Sequence, residues 1–163
     1  MGRRIREVAP LAHPEGPRQG NLFRRRCFQS RVVKVVCDTN VLVAGMVADG
    51  LCRDLVKRRL LRADLITSPA LLQELTRTLR RKFDTDPADV PLLKAYRERA
   101  TLVRPKALPN PVCRDRDDDN VLATAVAGLA DIILTGDDDL LVLGEYNGIR
   151  ILSPRQFVEL MDR

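Results

Sequence analysis

Residues 32–40 read VVKVVCDTN, a short run of β-branched apolar residues that ends at an aspartate. Apolar runs of this kind, without polar alternation, are typical of strands buried on both faces of a parallel sheet. Asp38 directly follows the predicted strand, so we expect its carboxylate at the strand's carboxyl end. In parallel α/β sheets, functional groups collect at those ends, in the crevice where the strand order reverses.

Four further strands are predicted downstream, at residues 65–67, 101–103, 132–134 and 149–152, with helices between them. The clearest helix begins at Ser68-Pro69, where a serine N-cap and a first-turn proline precede leucines at every fourth position. This alternation of strands and helices predicts an α/β fold. The expected architecture is a three-layer α/β/α sandwich on a five-stranded parallel sheet.

The chain has 163 residues, of which 45% are hydrophobic and 31% charged, a composition that suits one globular domain. No apolar run reaches the roughly 18 residues that a membrane-spanning helix needs. Residues 1–31 carry eight arginines against two glutamates and lack apolar periodicity. They are therefore predicted to be a basic, disordered arm, and residues 32–163 the folded domain. The four cysteines lack CxxC spacing, which favours reduced thiols and a cytoplasmic location.

Acidic residues stand where the predicted strands end and where the helices beside them begin. They are Asp38, Glu74, Asp115, Asp117, Asp118, Asp119 and Asp137. Each alone has an ordinary explanation as a turn residue, a helix N-cap or an exposed helix residue. Several carboxylates in one crevice, however, raise one another's pKa unless a cation neutralises them, so together they predict a metal site. Oxygen ligands favour Mg²⁺ or Mn²⁺ over zinc.

Charge is unevenly distributed along the predicted domain. Residues 53–106 hold 14 lysines and arginines against 7 acids, whereas residues 107–149 hold 2 arginines against 9 acids. A basic stretch beside an acidic one suits an enzyme that binds a polyanion and holds cations, although solvated helix faces produce similar patterns. Hard cations beside a basic lobe suggest phosphodiester hydrolysis, in which metal ions activate water and stabilise the leaving oxygen.

Four segments resemble the acidic motifs of PIN domains. They read VVCDTNVLV at residues 35–43, SPALLQEL at 68–75, DDDNVLA at 117–123 and LTGDDDLL at 134–141. The resemblance covers about residues 32–160 and is greatest to the toxins of bacterial type II toxin–antitoxin systems, which are related to VapC-like ribonucleases. It implies a parallel sheet in the order 3-2-1-4-5 and RNA cleavage that depends on Mg²⁺ or Mn²⁺.

Carried over position by position, the resemblance implies which side chains bind the metal and catalyse the reaction. The expected acids are Asp38, Glu74, Asp119 and Asp137, with Asp117 and Asp139 as further candidate ligands. Asp119 is preferred to its neighbours because the third acid of the family precedes an aliphatic residue and an alanine by three residues, as Asp119 precedes Leu122-Ala123. Asn40 and Thr135 are expected to orient the carboxylates by hydrogen bonds.

Contacts with the RNA backbone are expected from basic side chains on two predicted helices. These are Lys57, Arg58, Arg77, Arg80, Arg81 and Lys82. Such contacts bind with little sequence preference and with strong salt dependence. The resemblance also implies a small DNA-binding antitoxin as a partner and a homodimer as the assembly.

Three other functions are compatible with parts of this pattern. A haloacid-dehalogenase-like phosphatase also has an Asp after its first strand, but it needs a second Asp two positions later, where this chain has Asn40. A PIN-like domain could serve only as an RNA or protein interaction module, although all four motif acids are present here. A housekeeping nuclease that processes RNA would carry the same residues as a toxin.

Overall fold

A computed structural model describes residues 32–162, and the predicted basic arm at residues 1–31 lies outside the described residues. The described chain forms one mixed sheet with helices around it. The strands are β1 (Lys34–Cys37), β2 (Asp64–Thr67), β3 (Thr101–Leu102), β4 (Ile132–Leu134), β5 (Glu145–Tyr146) and β6 (Ile149–Leu152). The helices are α1 (Thr39–Val47), α2 (Leu51–Arg58), α3 (Pro69–Phe83), α4 (Pro91–Arg99), α5 (Arg116–Ala127), α6 (Asp138–Leu141) and α7 (Pro154–Met161).

The strand order in the sheet is β3-β2-β1-β4-β6-β5. The central strand β1 pairs in parallel with β2 on one side and with β4 on the other. The β2–β3 and β4–β6 pairs are parallel as well. The predicted α/β/α fold and its order of five parallel strands are thus confirmed, with β6 as the fifth parallel strand.

A sixth, antiparallel strand corrects the prediction of a purely parallel sheet. β5 and β6 form a hairpin in which Tyr146 pairs with Ile149. Its two turn residues, Asn147 and Gly148, both have positive φ, at 49° and 80°. Asn-Gly is a preferred sequence for a two-residue hairpin turn, because both residues tolerate the left-handed conformation that the turn requires. The antiparallel strand therefore has a local cause.

The sheet is buried because helices cover it. α5 packs against β1, β2 and β4, α4 packs against β2, and α7 packs against β6 and α2. Strand residues alternate between faces. On the face toward α5, Val36 and Ile133 join Val121 and Leu122 in one buried core. Within the described residues, no helix is both long and apolar enough to cross a membrane.

Two contacts bring the carboxyl ends of β1 and β4 together with the start of α3. The Asp38 amide donates a hydrogen bond of 2.9 Å to the Leu134 carbonyl, which continues the β1–β4 pairing past the strand end. At the start of α3, the N-cap Ser68 is fully buried, and its Oγ lies 2.9 Å from the Thr124 Oγ1 of α5. The fold therefore fixes two strand ends and two helices around one crevice.

One residue at the end of α5 has a backbone conformation that non-glycine side chains disfavour. Leu129 has a φ of 52° and is 75% exposed, and the Ala130 amide donates to the Ala125 carbonyl at 2.9 Å. The neighbouring Gly128 has no space for a side chain, because an added Cβ would lie 2.5 Å from the Ile66 Cγ2. Glycine at 128 is thus required by close packing, while the left-handed position falls on Leu129.

We predict that Leu129→Gly stabilises the protein and that Gly128→Ala destabilises it. A left-handed conformation costs an L-residue about 1–2 kcal/mol, part of which the glycine's greater unfolded-state entropy cancels. Urea denaturation should therefore show a free energy of unfolding raised by about 0.5–1 kcal/mol in Leu129→Gly. A lowered value in that variant would contradict the strain argument. Gly128→Ala should lower it, because Ile66 must move.

Candidate metal centre

Asp38 is held at the end of β1 by a buried hydroxyl from the neighbouring strand. Its side chain is only 4% exposed, and its Oδ2 accepts a hydrogen bond of 2.7 Å from the Thr135 Oγ1. The same Oγ1 accepts a bond of 3.0 Å from the Asp137 amide. Because this hydroxyl is fully buried and bonded on both sides, it fixes Asp38 relative to the loop that carries Asp137.

Three aspartates from two elements converge beside Asp38. Asp118 lies in the first turn of α5, Asp137 caps α6 with its Oδ1 2.8 Å from the Asp139 amide, and Asp139 follows. One carboxylate oxygen from each lies within 4.8 Å of the others, and no other such group of three metal-ligating side chains occurs in residues 32–162. Asp118 is buried, Asp137 half-buried and Asp139 exposed. We refer to these three residues with Asp38 and Glu74 as the acidic centre.

Glu74 approaches this group from α3. It is half-buried, and burial raises its pKa, as do the charges of Asp117 and Asp38. The nearby Thr39 hydroxyl and the charge of Arg77 act in the opposite direction. Glu74 is therefore close enough to Asp38 for the two carboxylates to influence each other.

Burial and the crowding of like charges both act on the carboxylates of the acidic centre. Burial raises the pKa of Asp118 to about 6, and the charges of Asp137 and Asp38 add to the effect. Burial also raises the pKa of Asp38, although the Thr135 hydroxyl and the nearby Asn40 amide favour its charged form. A bound cation would remove this repulsion, because carboxylates repel one another only while their charge is uncompensated.

Arg114 supplies a positive charge at the rim of the acidic centre. Its Nη2 donates to both oxygens of Asp139, at 2.9 and 3.2 Å, while its own side chain is 88% exposed. The loop that carries Arg114 is fastened by Asp119, whose Oδ1 accepts from the Val112 and Cys113 amides at 3.2 and 2.9 Å. Asp119 therefore shapes the loop.

The structure brings three of the four predicted acids together: Asp38, Glu74 and Asp137. Asp119, the fourth, points to the loop amides, and its neighbour Asp118 joins Asp137 and Asp139 instead. Adjacent helix residues are rotated by about 100°, so only one of them can face the crevice. The geometry therefore favours Asp118 over Asp119 as the α5 ligand.

The other predicted site residues have distinct surroundings. Asp139 belongs to the acidic centre, whereas Asp117 lies at its edge, 3.8 Å from the Arg77 guanidinium. Thr135 makes the expected hydrogen bond to Asp38, and Asn40 is exposed.

The predicted basic residues divide between two helices. Lys57 and Arg58 are exposed on α2, where Arg58 lies 3.7 Å from Asp54. Arg77, Arg80, Arg81 and Lys82 are exposed on α3. Only α3 also carries an acid of the acidic centre, Glu74.

Two residues at the centre lack a strong sequence signal. Thr39 is 1% exposed beside Glu74, and Arg114 reaches Asp139 across 25 positions of the chain. The position of Thr39 directly after Asp38 is a weak signal for a role at the centre. Nothing in the sequence indicates the pairing of Arg114.

The residues present fit a hard divalent cation. The donors are carboxylate oxygens from separate elements, they lie close together, and burial has already removed part of their hydration. Mg²⁺ and Mn²⁺ prefer such oxygen donors, and Mg²⁺ usually uses only a few carboxylates. In this fold the candidate ligands would be Asp38, Asp118, Asp137 and Asp139, with Glu74 beside them.

We predict that Asp118→Asn abolishes metal-induced stabilisation and that Asp119→Asn preserves it. For the unaltered protein, Mn²⁺ at about 100 times its Kd should add about 2.7 kcal/mol to the free energy of unfolding, which calorimetry detects as a higher Tm. Asp119→Asn should lower the starting Tm, because the loop amides lose a charged acceptor, while the rise on adding Mn²⁺ remains. The reverse pattern would assign Asp119 as the ligand.

We also predict that this stabilisation depends on pH. The folded-state pKa of Asp118 is raised to about 6, above the ordinary value of about 3.9, so the metal-free protein loses stability as the pH rises between these two values. Protons compete with the cation at low pH. The rise in Tm caused by Mn²⁺ should therefore be larger at about pH 7.5 than at about pH 5. Equal rises at both pH values would contradict binding at this carboxylate.

Comparison with known proteins agrees with this geometry. Residues 34–139 match the PIN domain family, a segment that contains every acid of the acidic centre. The chain is also similar to MJ1680, an uncharacterized protein of Methanocaldococcus jannaschii, with 28% identity over 148 residues that cover 80% of this chain and 93% of the relative. Given the match over most of its described residues, together with the sheet order and the acids at the strand ends, the chain belongs to the PIN domain family.

Proposed function

We propose that this protein is an endoribonuclease that depends on Mg²⁺ or Mn²⁺ and hydrolyses RNA phosphodiester bonds at the acidic centre. PIN domains are generally nucleases, and the observation that carries the proposal is the convergence of Asp118, Asp137 and Asp139 within 4.8 Å. A carboxylate cluster of this kind suits a polyanionic substrate only when cations offset its charge. The proposal therefore requires the metal.

When bound, a divalent ion supplies Lewis acidity, which lowers the pKa of water and stabilises charge on the phosphate oxygens. The protein's own residues supply position. Asp38 and Asp118 are buried carboxylates from two different elements. The Thr135 hydroxyl keeps the Asp38 Oδ2 in one orientation at 2.7 Å, so little reorganisation is needed on binding.

Glu74 is suited to a different role. It is half-buried on α3, its pKa is raised first of all by burial, and the charge of Asp38 adds to that effect. A carboxylate in this environment can accept a proton more readily than an exposed one. We assign Glu74 one of two roles. It accepts the proton that the attacking water loses, or it is a further ligand of the metal.

The biological role that we propose is that of the toxin in a toxin–antitoxin pair, acting in the cytoplasm, with a small DNA-binding antitoxin as partner and a homodimer as the assembly. This follows the resemblance of the acidic motifs. A housekeeping role in RNA processing would use the same residues. Expression of the chain with and without the product of an adjacent small gene distinguishes the two roles, because only a toxin should arrest growth until its partner is present.

Cleavage of labelled single-stranded RNA by the purified protein tests the catalytic proposal. We expect cutting with Mn²⁺ or Mg²⁺, none with EDTA, and a loss of about 100-fold or more in Asp38→Asn. Thr135→Val should lose about 10–100-fold, because it removes the hydroxyl that orients Asp38 and accepts from the Asp137 amide but leaves every carboxylate in place. Asp89→Asn, an exposed acid outside the centre, is the matched control and should keep full activity.

Cleavage that persists in EDTA or in Asp38→Asn would refute the proposal. Absence of cleavage in a protein that binds Mn²⁺ and RNA would identify a non-catalytic interaction module instead. The circular dichroism spectrum of each variant should match that of the unaltered protein, so that a loss of activity reports chemistry rather than unfolding.

A further inference from the structure

An open groove of about 400 Å³ lies along α3 and α4. Three of its lining arginines, Arg77, Arg80 and Arg81, come from α3, and a fourth, Arg97, comes from α4. The neutral residues Gln73 and Thr76 lie among them, and no acidic side chain of the described chain lines the groove. Four guanidinium groups from two helices therefore share one concave surface.

The arginines of this groove are available to a ligand. Within residues 32–162, neither Arg80 nor Arg81 forms a salt bridge, and Arg97 donates to the neutral Thr76 hydroxyl at 2.9 Å. Outside the groove, most arginines that form described salt bridges pair with an acid four residues away, as Arg58 does with Asp54. Unpaired guanidinium groups held close together repel one another and favour an anionic ligand.

The groove adjoins the acidic centre through α3. On α3, Glu74 is followed three residues later by Arg77 and seven residues later by Arg81, which places all three along one face of the helix. The rise of a helix puts Arg81 about 10 Å from Glu74 along the axis. Arg77 lies 3.8 Å from Asp117 at the edge of the centre, so the groove begins where the acids end.

The chemistry of the groove selects a phosphate backbone. Arginine binds phosphate oxygens through paired N–H donors, and several arginines in a row suit successive phosphates of one strand. No aromatic side chain of the described chain lines the groove, so bases have no stacking platform there. The contacts expected are thus with phosphates and carry little sequence preference.

We propose that the α3–α4 groove binds the phosphates that flank the scissile bond, with Arg80, Arg81 and Arg97 as the contacting residues. This rests on the proposed ribonuclease function, because it makes the groove the path by which one RNA strand leaves the acidic centre. It adds Arg97 to the RNA-binding residues and excludes Lys57 and Arg58, which lie on α2 outside the groove.

The test compares two triple variants with equal change of charge. The groove variant removes three arginines that line the groove: Arg80→Ala/Arg81→Ala/Arg97→Ala. The control variant removes three exposed cations elsewhere: Lys57→Ala/Arg58→Ala/Arg155→Ala. Fluorescence anisotropy in EDTA measures the Kd of a labelled single-stranded RNA over a range of salt concentrations. We expect the groove variant to weaken binding by about tenfold or more and to lower the salt slope by about 0.7 for each phosphate that an arginine no longer neutralises. The control variant should change Kd by less than about threefold.

Cleavage with Mn²⁺ supplies the second readout. The groove variant should raise KM and leave kcat near that of the unaltered protein, because the groove contacts phosphates that do not react. Unaltered RNA affinity in the groove variant, or equal losses in both variants, would overturn the proposal while leaving metal-dependent cleavage intact. Selective loss of binding in the groove variant of a protein that does not cut RNA would support the groove and refute the nuclease.

Discussion

The parallel pairing of β1 with β4 is the constraint on which the site depends. It sets Cys37 opposite Leu134, and the Asp38 amide then donates to the Leu134 carbonyl, so two loops leave the sheet side by side. The Thr135 hydroxyl joins those loops through Asp38 at 2.7 Å. Without this register, Asp38 after β1 and Asp137 after β4 would lie on separate parts of the surface. The helices α3 and α5 complete the crevice because the buried Ser68 and Thr124 hydroxyls meet between them.

The acidic centre and the neighbouring face of α3 carry opposite charges. The acidic centre concentrates carboxylates, and burial together with the charges of Asp137 and Asp38 raises the pKa of Asp118 to about 6. A cation bound at the acidic centre would offset this charge. The α3 face beyond it concentrates arginines, of which Arg77 lies beside Asp117 at the boundary. The proposed RNA substrate would lie across both regions, with its reacting phosphate at the acidic centre and its neighbouring phosphates at the guanidinium groups.

Much of the fold could be predicted from the sequence because buried parallel strands have short apolar runs, as residues 32–37 do apart from Lys34. The antiparallel β5 also had a signal, the Asn147-Gly148 pair. The α5 ligand is harder to predict. Asp118 and Asp119 are adjacent and chemically identical, and only the packing of the helix decides which one faces the crevice. The groove likewise depends on Arg97, whose neighbours along α4 give no indication that it will meet α3.

The most direct test of a metal centre at the β1–β4 strand ends is anomalous X-ray diffraction from crystals of the full chain grown with Mn²⁺. We expect one strong peak bounded by the carboxylates of Asp38, Asp118 and Asp137, with Asp119 still accepting from the Val112 and Cys113 amides. A peak coordinated by Asp119, or no peak near Asp38 in crystals that bind Mn²⁺ elsewhere, would contradict the assignment of this crevice as the metal site.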